Sequence, residues 1–170
     1  MHCELDHLVV MAATLEQGVA WCEATLGVTP GPGGAHPTMG THNRLLALGD
    51  PGGMFPRAYF EIIAIDPVAP APGHPRWFGM DDPSLQAAVA QHPRLVHAVL
   101  RSPDIAAMRQ GLAAQGLAPG TLQPFARGAY RWRLLLPDEA AVPTLIEWQS
   151  DHPTAAMPAG GVQLMALAAR

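Results

Sequence analysis

The chain has 170 residues, the length of one domain or of two small repeats sharing one body. Apolar residues make up 49% and charged residues 14%, which supports a packed core and excludes a disordered chain. The formal net charge is -4 and all ten basic residues are Arg; with no Lys, a Schiff base on a protein amine and a P-loop are excluded, and no nucleic acid or anionic membrane is expected as a partner.

The opening LDHLVVMAA is a short apolar, β-branched run and reads as a buried strand. In TLEQGVAWCEATLGV, Leu15, Val19, Cys22 and Leu26 share one helical face, with Thr14 placed to cap the start and Gly27 the end. PGPGGAHPTMG reads as a loop. NRLLALG and AYFEIIAID follow as strands. Residues 67–94 carry six prolines and read as a connector with one short helix at PSLQAAVAQ. RLVHAVLRS is again a strand. PDIAAMRQGLAAQGL places Ile105, Met108 and Leu112 on one helical face, begins at Pro103 and Asp104, and stops near Gly116. YRWRLLLPD and VPTLIEWQS are two further strands. The tail GVQLMALAAR reads as a late edge strand or a frayed terminus; as an edge strand it would offer a homodimer contact.

Strand–helix–strands thus occurs twice. The expected fold is α+β: one domain made of module 1–66, the connector 67–94, module 95–150 and an extension 151–170. His7 lies in the first strand of one half and Glu61 in its last. His97 and Glu147 hold corresponding places in the other half. Glu61 follows His7 by 54 positions and Glu147 follows His97 by 50. Both glutamates interrupt apolar runs, FEII and LIEW, where an unpaired carboxylate is costly. Two imidazoles and two carboxylates converging on one axis would suit a divalent ion such as Zn, Ni, Mn or Fe, with positions left for water or substrate. His36 and Asn43 sit in a dense polar segment beside Gly33, Gly34 and Gly40 and are candidate substrate-binding residues, the alternative being a turn that bonds its own backbone. Arg44 and Arg131 are candidates for an anionic substrate, the alternative being a surface salt bridge for Arg44 and an ordinary amphipathic strand for Arg131.

Two cysteines without metal-type spacing read as reduced thiols of a cytoplasmic protein. MHCELDH lacks the features of a signal peptide, and no apolar run is long enough to span a bilayer. The many Pro, Gly and Ala residues without Lys suggest a GC-rich bacterial genome. There is no dinucleotide fingerprint and no Gly-x-Ser-x-Gly elbow.

LDHLVV, GGAHPTMGTHNRLLALG, YFEIIAIDP and PTLIEWQSDHP together resemble the glyoxalase-like domain family of the vicinal oxygen chelate superfamily, over nearly the whole chain. The resemblance implies two βαβββ modules forming a cupped mixed sheet with helices on its outer face. It implies a metal in the cup, held at His7, Glu61, His97 and Glu147. On this reading Glu61 or Glu147 would move a proton while the ion stabilises an enediolate-like anion, giving an isomerase, epimerase or lyase for a small oxygenated metabolite. A dioxygenase is the less favoured chemistry. The alternative function is a metal-free small-molecule binder of the same fold, which predicts that the four residues do not converge and that aromatic groups line the cup.

Overall fold

The computed structural model describes residues 2–49, 52–137 and 142–168. Strand β1 (Glu4–Met11) is followed by helix α1 (Leu15–Leu26) and strands β2 (Gly31–His36), β3 (Thr41–Ala47) and β4 (Tyr59–Ile65). The connector carries a 3-10 turn at Trp77–Gly79 and helix α2 (Pro83–Gln91). The second half repeats the plan with β5 (Arg94–Arg101), α3 (Ile105–Ala114), β6 (Thr121–Arg127), β7 (Tyr130–Leu136) and β8 (Thr144–Trp148). No helix among the described residues is long and apolar enough to cross a membrane.

Local chemistry sets the helix ends. Thr14 accepts the Gln17 N–H and Gly27 adopts a left-handed conformation at φ 72°, as the sequence predicts. Asp82 caps α2 through the Ser84 and Leu85 N–H groups, and Asp104 caps α3 through Ala107. On α1 Gly18 is buried against the sheet; a Cβ there would lie 2.4 Å from Ile62 Cγ2, so a side chain would force a shift.

The eight strands form one mixed sheet in the order β2-β3-β4-β1-β5-β8-β7-β6. β1–β4 and β5–β8 are parallel pairs; β1 and β5 join the halves antiparallel. At that joint His7 faces Val99 and Val9 faces His97, so the halves are related by a local two-fold. The ladder slips at two matching places, past Asp6 in β1 and past Val96 in β5.

One face of the sheet packs on helices. Leu8, Val10, Leu46 and Ile62 meet Trp21, Cys22 and Leu26 of α1, while Leu135 and Leu145 meet Ile105, Met108 and Leu112 of α3. Full burial of a side chain such as Ile62 contributes about 1.5–3 kcal/mol. The other face is the cup. Val9, Met11, Ile63, Val99, Leu134 and Ile146 line it, and the connector fills part of it with Trp77, Met80 and Val89.

Two strands depart from the sequence reading. GPGGAH, expected as loop, is strand β2, and TLQPFAR, for which no strand was expected, is β6. Both are edge strands, and each contains a proline, Pro32 or Pro124. An edge strand needs hydrogen bonds on one side only, so proline is tolerated there while it masks the strand signal. Among its described residues the tail forms no strand. The Leu164 N–H bonds the Leu48 carbonyl and Val162 and Leu164 pack on the α1-side core, so this stretch covers its own sheet. Residues 169–170 of the tail, and Asp138 at the end of YRWRLLLPD, lie outside the described residues.

Candidate active site in the cup

The site grows from the slip in β1. An irregularity in a strand re-aims its side chains. Here Leu5 turns to the α1 side while Asp6 and His7 are both buried, 0% and 5% exposed. Asp6 Oδ1 meets His7 Nδ1 at 2.7 Å, and Asp6 Oδ2 accepts from Trp148 Nε1 and from His152 Nε2, each at 3.0 Å. Burial would push the Asp6 carboxyl up; the hydrogen bonds from His152 and His7 overcome this and hold it well below the usual carboxylate range. Asp6 fixes which ring nitrogen of His7 faces inward. His7 Nε2 then lies 3.4 Å from Glu61 Oε2 on β4.

Glu61 is the second buried carboxylate. Asn43 Nδ2 donates to its Oε1 at 2.6 Å, and His36 Nε2 lies 3.9 Å away. Burial raises the Glu61 pKa, but His7 above all, with His36 and Asn43, brings it down to about 2. His7 is likewise pushed down by burial and carried up to about 9 by Asp6 and Glu61. His36 goes the other way. Burial dominates and, with Arg127 nearby, lowers it to about 4 against the pull of Glu61. One cationic and one neutral imidazole therefore flank one carboxylate at neutral pH. Environments that split like groups apart in this way are a mark of acid–base sites.

Four of the residues singled out in the sequence thus meet: His7, Glu61, His36 and Asn43. The other four do not join them. By the local two-fold, His97 is the counterpart of His7, but the counterpart of Glu61 is Thr144, not Glu147: Val9 pairs with Glu61, and Val99 with Thr144. His97 Nε2 meets Thr144 Oγ1 at 2.8 Å, and burial lowers the His97 pKa. Glu147 stands three positions further along β8, and an odd step in a strand turns a side chain to the other face. There it takes a two-oxygen ion pair with Arg133, at 2.6 and 2.7 Å, and accepts the Ile105 N–H at the start of α3. Arg44 alternates out of the cup next to Asn43 and is exposed. Arg131 is exposed and bonds the Gly128 and Tyr130 carbonyls of its own turn. Asp6, His152 and Arg127 are part of the site but are not among the expected site residues; the sequence signals were an acidic residue directly before His7 in LDHLVV and the His152–Pro153 turn, which could cover the cup.

The four-residue metal set does not fit, because Glu147 is committed elsewhere. Among the described residues no three His, Cys, Asp or Glu side chains form a ready ligand group. His7 and Glu61 do fit two positions of one. Their 3.4 Å separation is long for a hydrogen bond, and about 3.4 Å separates two tetrahedral ligands on bonds of about 2.0–2.1 Å. The Asp6 carboxylate behind His7 Nδ1 is the usual support of a ligating histidine.

Aromatic rings wall the site. Trp77 meets His36 edge-on at 5.0 Å and stacks on Phe78, which stacks on His97 at 4.8 Å. Trp132 and Trp148 close the other side. The cavity holding His7, His36 and Glu61 is only about 40 Å³. Beyond Phe78 lies a cavity of about 610 Å³ lined by His97, Gln123 and Thr144, and beyond Arg127 one of about 580 Å³.

No curated protein matches the sequence as a relative. Among solved structures, the methylmalonyl-CoA epimerase of Mycobacterium tuberculosis is similar, with a TM-score of 0.53 and 21% identity over 91% of this chain and 92% of that one. A Streptomyces coelicolor methylmalonyl-CoA epimerase variant in complex with 2-nitronate-propionyl-CoA matches with a TM-score of 0.56 and 14% identity, over 86% of this chain and 94% of that one. A hypothetical protein of Bacillus halodurans C-125 reaches 0.58 at 15% identity, covering 89% and 96%. At these identities the likeness shows a shared fold. The profile of the glyoxalase-like domain matches residues 5–170, and the chain belongs to that family.

Proposed function

We propose that the protein is an enzyme of the isomerase, epimerase or lyase type, acting at a carbon beside a carbonyl in a small oxygenated metabolite. The observation that carries this reading is the split pair of imidazoles around Glu61, one held cationic and one neutral. Its epimerase-fold neighbours agree with it.

The chemistry asks for a group that takes a proton from carbon and a positive group where oxygen becomes anionic. His36 Nδ1 meets Thr41 Oγ1 at 3.1 Å, and Nε2 carries the lone pair, which accepts from Arg127 NH1 at 3.2 Å until a substrate takes that place. Neutral His36 and the Glu61 carboxylate are the two proton acceptors. Asn43 holds Glu61 by one oxygen and leaves the other towards His7. His7, fixed by Asp6, presents positive charge to a substrate oxygen. A divalent ion such as Zn, Ni, Mn or Fe would take the place of that charge: His7 would give up its Nε2 proton and hold the ion together with Glu61, and the ion would supply Lewis-acid stabilisation of the anion. The buried Trp77 and Trp132, with the half-buried Trp148, exclude bulk water from the reacting atoms. Reduced Cys3 and Cys22, both free, accord with action in the cytoplasm.

The test is carbon-bound hydrogen exchange. The protein, loaded in turn with Zn, Ni, Mn and Fe(II), is incubated in D2O with hydroxy-ketones and with acyl thioesters branched beside the carbonyl. Deuterium entry seen by NMR, lost in His36→Asn and Glu61→Gln, is the expected result. A second reading, metal-free sequestration of a small aromatic compound, is favoured by the ring-lined cup and by the separation of Glu147 from His7. Tight ligand binding with no exchange on any substrate would establish that reading instead.

A further inference from the structure

We propose that Arg127 is the docking point for an anionic oxygen group, a carboxylate or a phosphate, carried by the substrate; this deepens the reading above and rests on the same site.

The sheet curls until its two edges meet across the cup. Arg127, the last residue of β6, reaches residues 84 and 91 positions away: its NH1 lies 3.2 Å from Asn43 Oδ1 and 3.2 Å from His36 Nε2. Bare backbone makes room for it. A Cβ on Gly34 would lie 2.9 Å from Arg127 Cδ and 3.2 Å from both Nε and NH1. A Cβ on Gly33 would lie 2.2 Å from Asn43 Oδ1. Gly128, at φ 56°, begins the two-residue turn that returns the chain into β7.

Among the described residues Arg127 has no ion pair. The carboxylates of Glu4, Asp6, Glu61, Asp81 and Glu147 are paired with other groups. Among the described residues only NH1 is engaged; Nε and NH2 make no hydrogen bond there and are not among the buried atoms left without a partner, so this edge of the guanidinium meets solvent. The Nε–NH2 edge is the planar fork that fits a carboxylate or phosphate with two parallel hydrogen bonds.

Its position gives the fork a purpose. The inner cavity of about 40 Å³ has room for about one water molecule, so a substrate must extend out of it. Arg127, Leu45 and Pro153 line both this cavity and the outer one of about 580 Å³. An anion entering from the outer cavity meets Arg127 before it reaches Glu61, and the fork would hold that anion while the adjoining carbon faces His36.

The experiment is a titration of protein labelled with nitrogen-15, following the arginine Nε–H signals by NMR. The Arg127 signal is assigned by its absence from Arg127→Gln. Malonate and inorganic phosphate are the probes, with malonamide as the neutral control and chloride for ionic strength. A saturable shift of the Arg127 signal with malonate or phosphate, absent with malonamide and chloride, is expected. The tighter of the two probes identifies the anion as carboxylate or phosphate. Arg127→Lys keeps the charge without the fork and should weaken binding about tenfold. Gly34→Ala keeps the guanidinium but crowds its stem, and should weaken binding as well. No saturable shift, or an equal one with chloride, overturns the proposal; so does full affinity in Arg127→Lys. The readout needs no turnover, so failed hydrogen exchange with intact anion binding counts against the reaction alone. Exchange on neutral substrates without anion binding counts against Arg127 alone.

Discussion

His7 and His36 are chemically the same group, and the fold drives them apart. Both begin from an ordinary value of 6.5; one is carried to about 9 and the other lowered to about 4. Proton linkage turns this into a pH profile for metal-free protein. Between about 4 and 6.5 the unfolded chain protonates His36 and the folded chain does not, so stability rises with pH. Between 6.5 and about 9 the folded chain keeps a proton on His7 that the unfolded chain has lost, so stability falls. Depressed Glu61 adds to the loss below about pH 4.5. Thermal unfolding across pH should give a peak near pH 6.5. His36→Asn should flatten the acid limb above about pH 4.5, and His7→Asn the alkaline limb. Asp6 accepts three hydrogen bonds with no exposure to water. Asp6→Asn turns an N–H towards donors, and urea unfolding should show a loss of about 3–5 kcal/mol. His7 and Glu61 were legible because a polar residue inside an apolar strand is conspicuous. Asp6 was not singled out, because its burial depends on a slip in the ladder that no local pattern announces.

Elements with strong periodicity were readable, and the edges were not. β1, β4, α1 and α3 follow from apolar spacing and caps. β2 and β6 carry Gly and Pro and gain their order from the partner strand, a contact that lies outside their own sequence. The same distinction governs where a change does harm. Gly18 on α1 touches Ile62, the neighbour of Glu61 on β4. Gly18→Ala is helix-favouring by propensity, yet its methyl would press on a stiff β-branched side chain. A net destabilisation of about 1–3 kcal/mol is expected from chemical unfolding. A gain in stability would mean that α1 shifts freely over the sheet.

At the scale of the whole molecule, the duplicated plan holds and the duplicated chemistry does not. Asp6, His7 and Glu61 in one half answer to Val96, His97 and Thr144 in the other. The repeat was visible from sequence. The pairing register that makes Thr144 the true counterpart of Glu61 was not, since a glutamate three positions away offered the same residue type at nearly the same spacing. Elemental analysis of purified protein separates the two assignments. Metal should disappear in His7→Ala and in Glu61→Ala and persist in Glu147→Ala. The last variant should instead lose stability, since Arg133 and the start of α3 lose their shared carboxylate. Loss of metal in Glu147→Ala would restore it to the ligand set.

Three of the four tryptophans, Trp77, Trp132 and Trp148, border the inner cavity, while Trp21 lies on the far side of the sheet against Phe60. The cup therefore carries its own optical probe. In a Trp21→Phe protein nearly all intrinsic emission would come from rings that touch the site. Trp77, edge-on to His36, should dim as that imidazole gains its proton near pH 4, because a cationic imidazole quenches indole emission. Any molecule seated beside these rings should shift the same signal, so occupancy can be followed before a substrate is known.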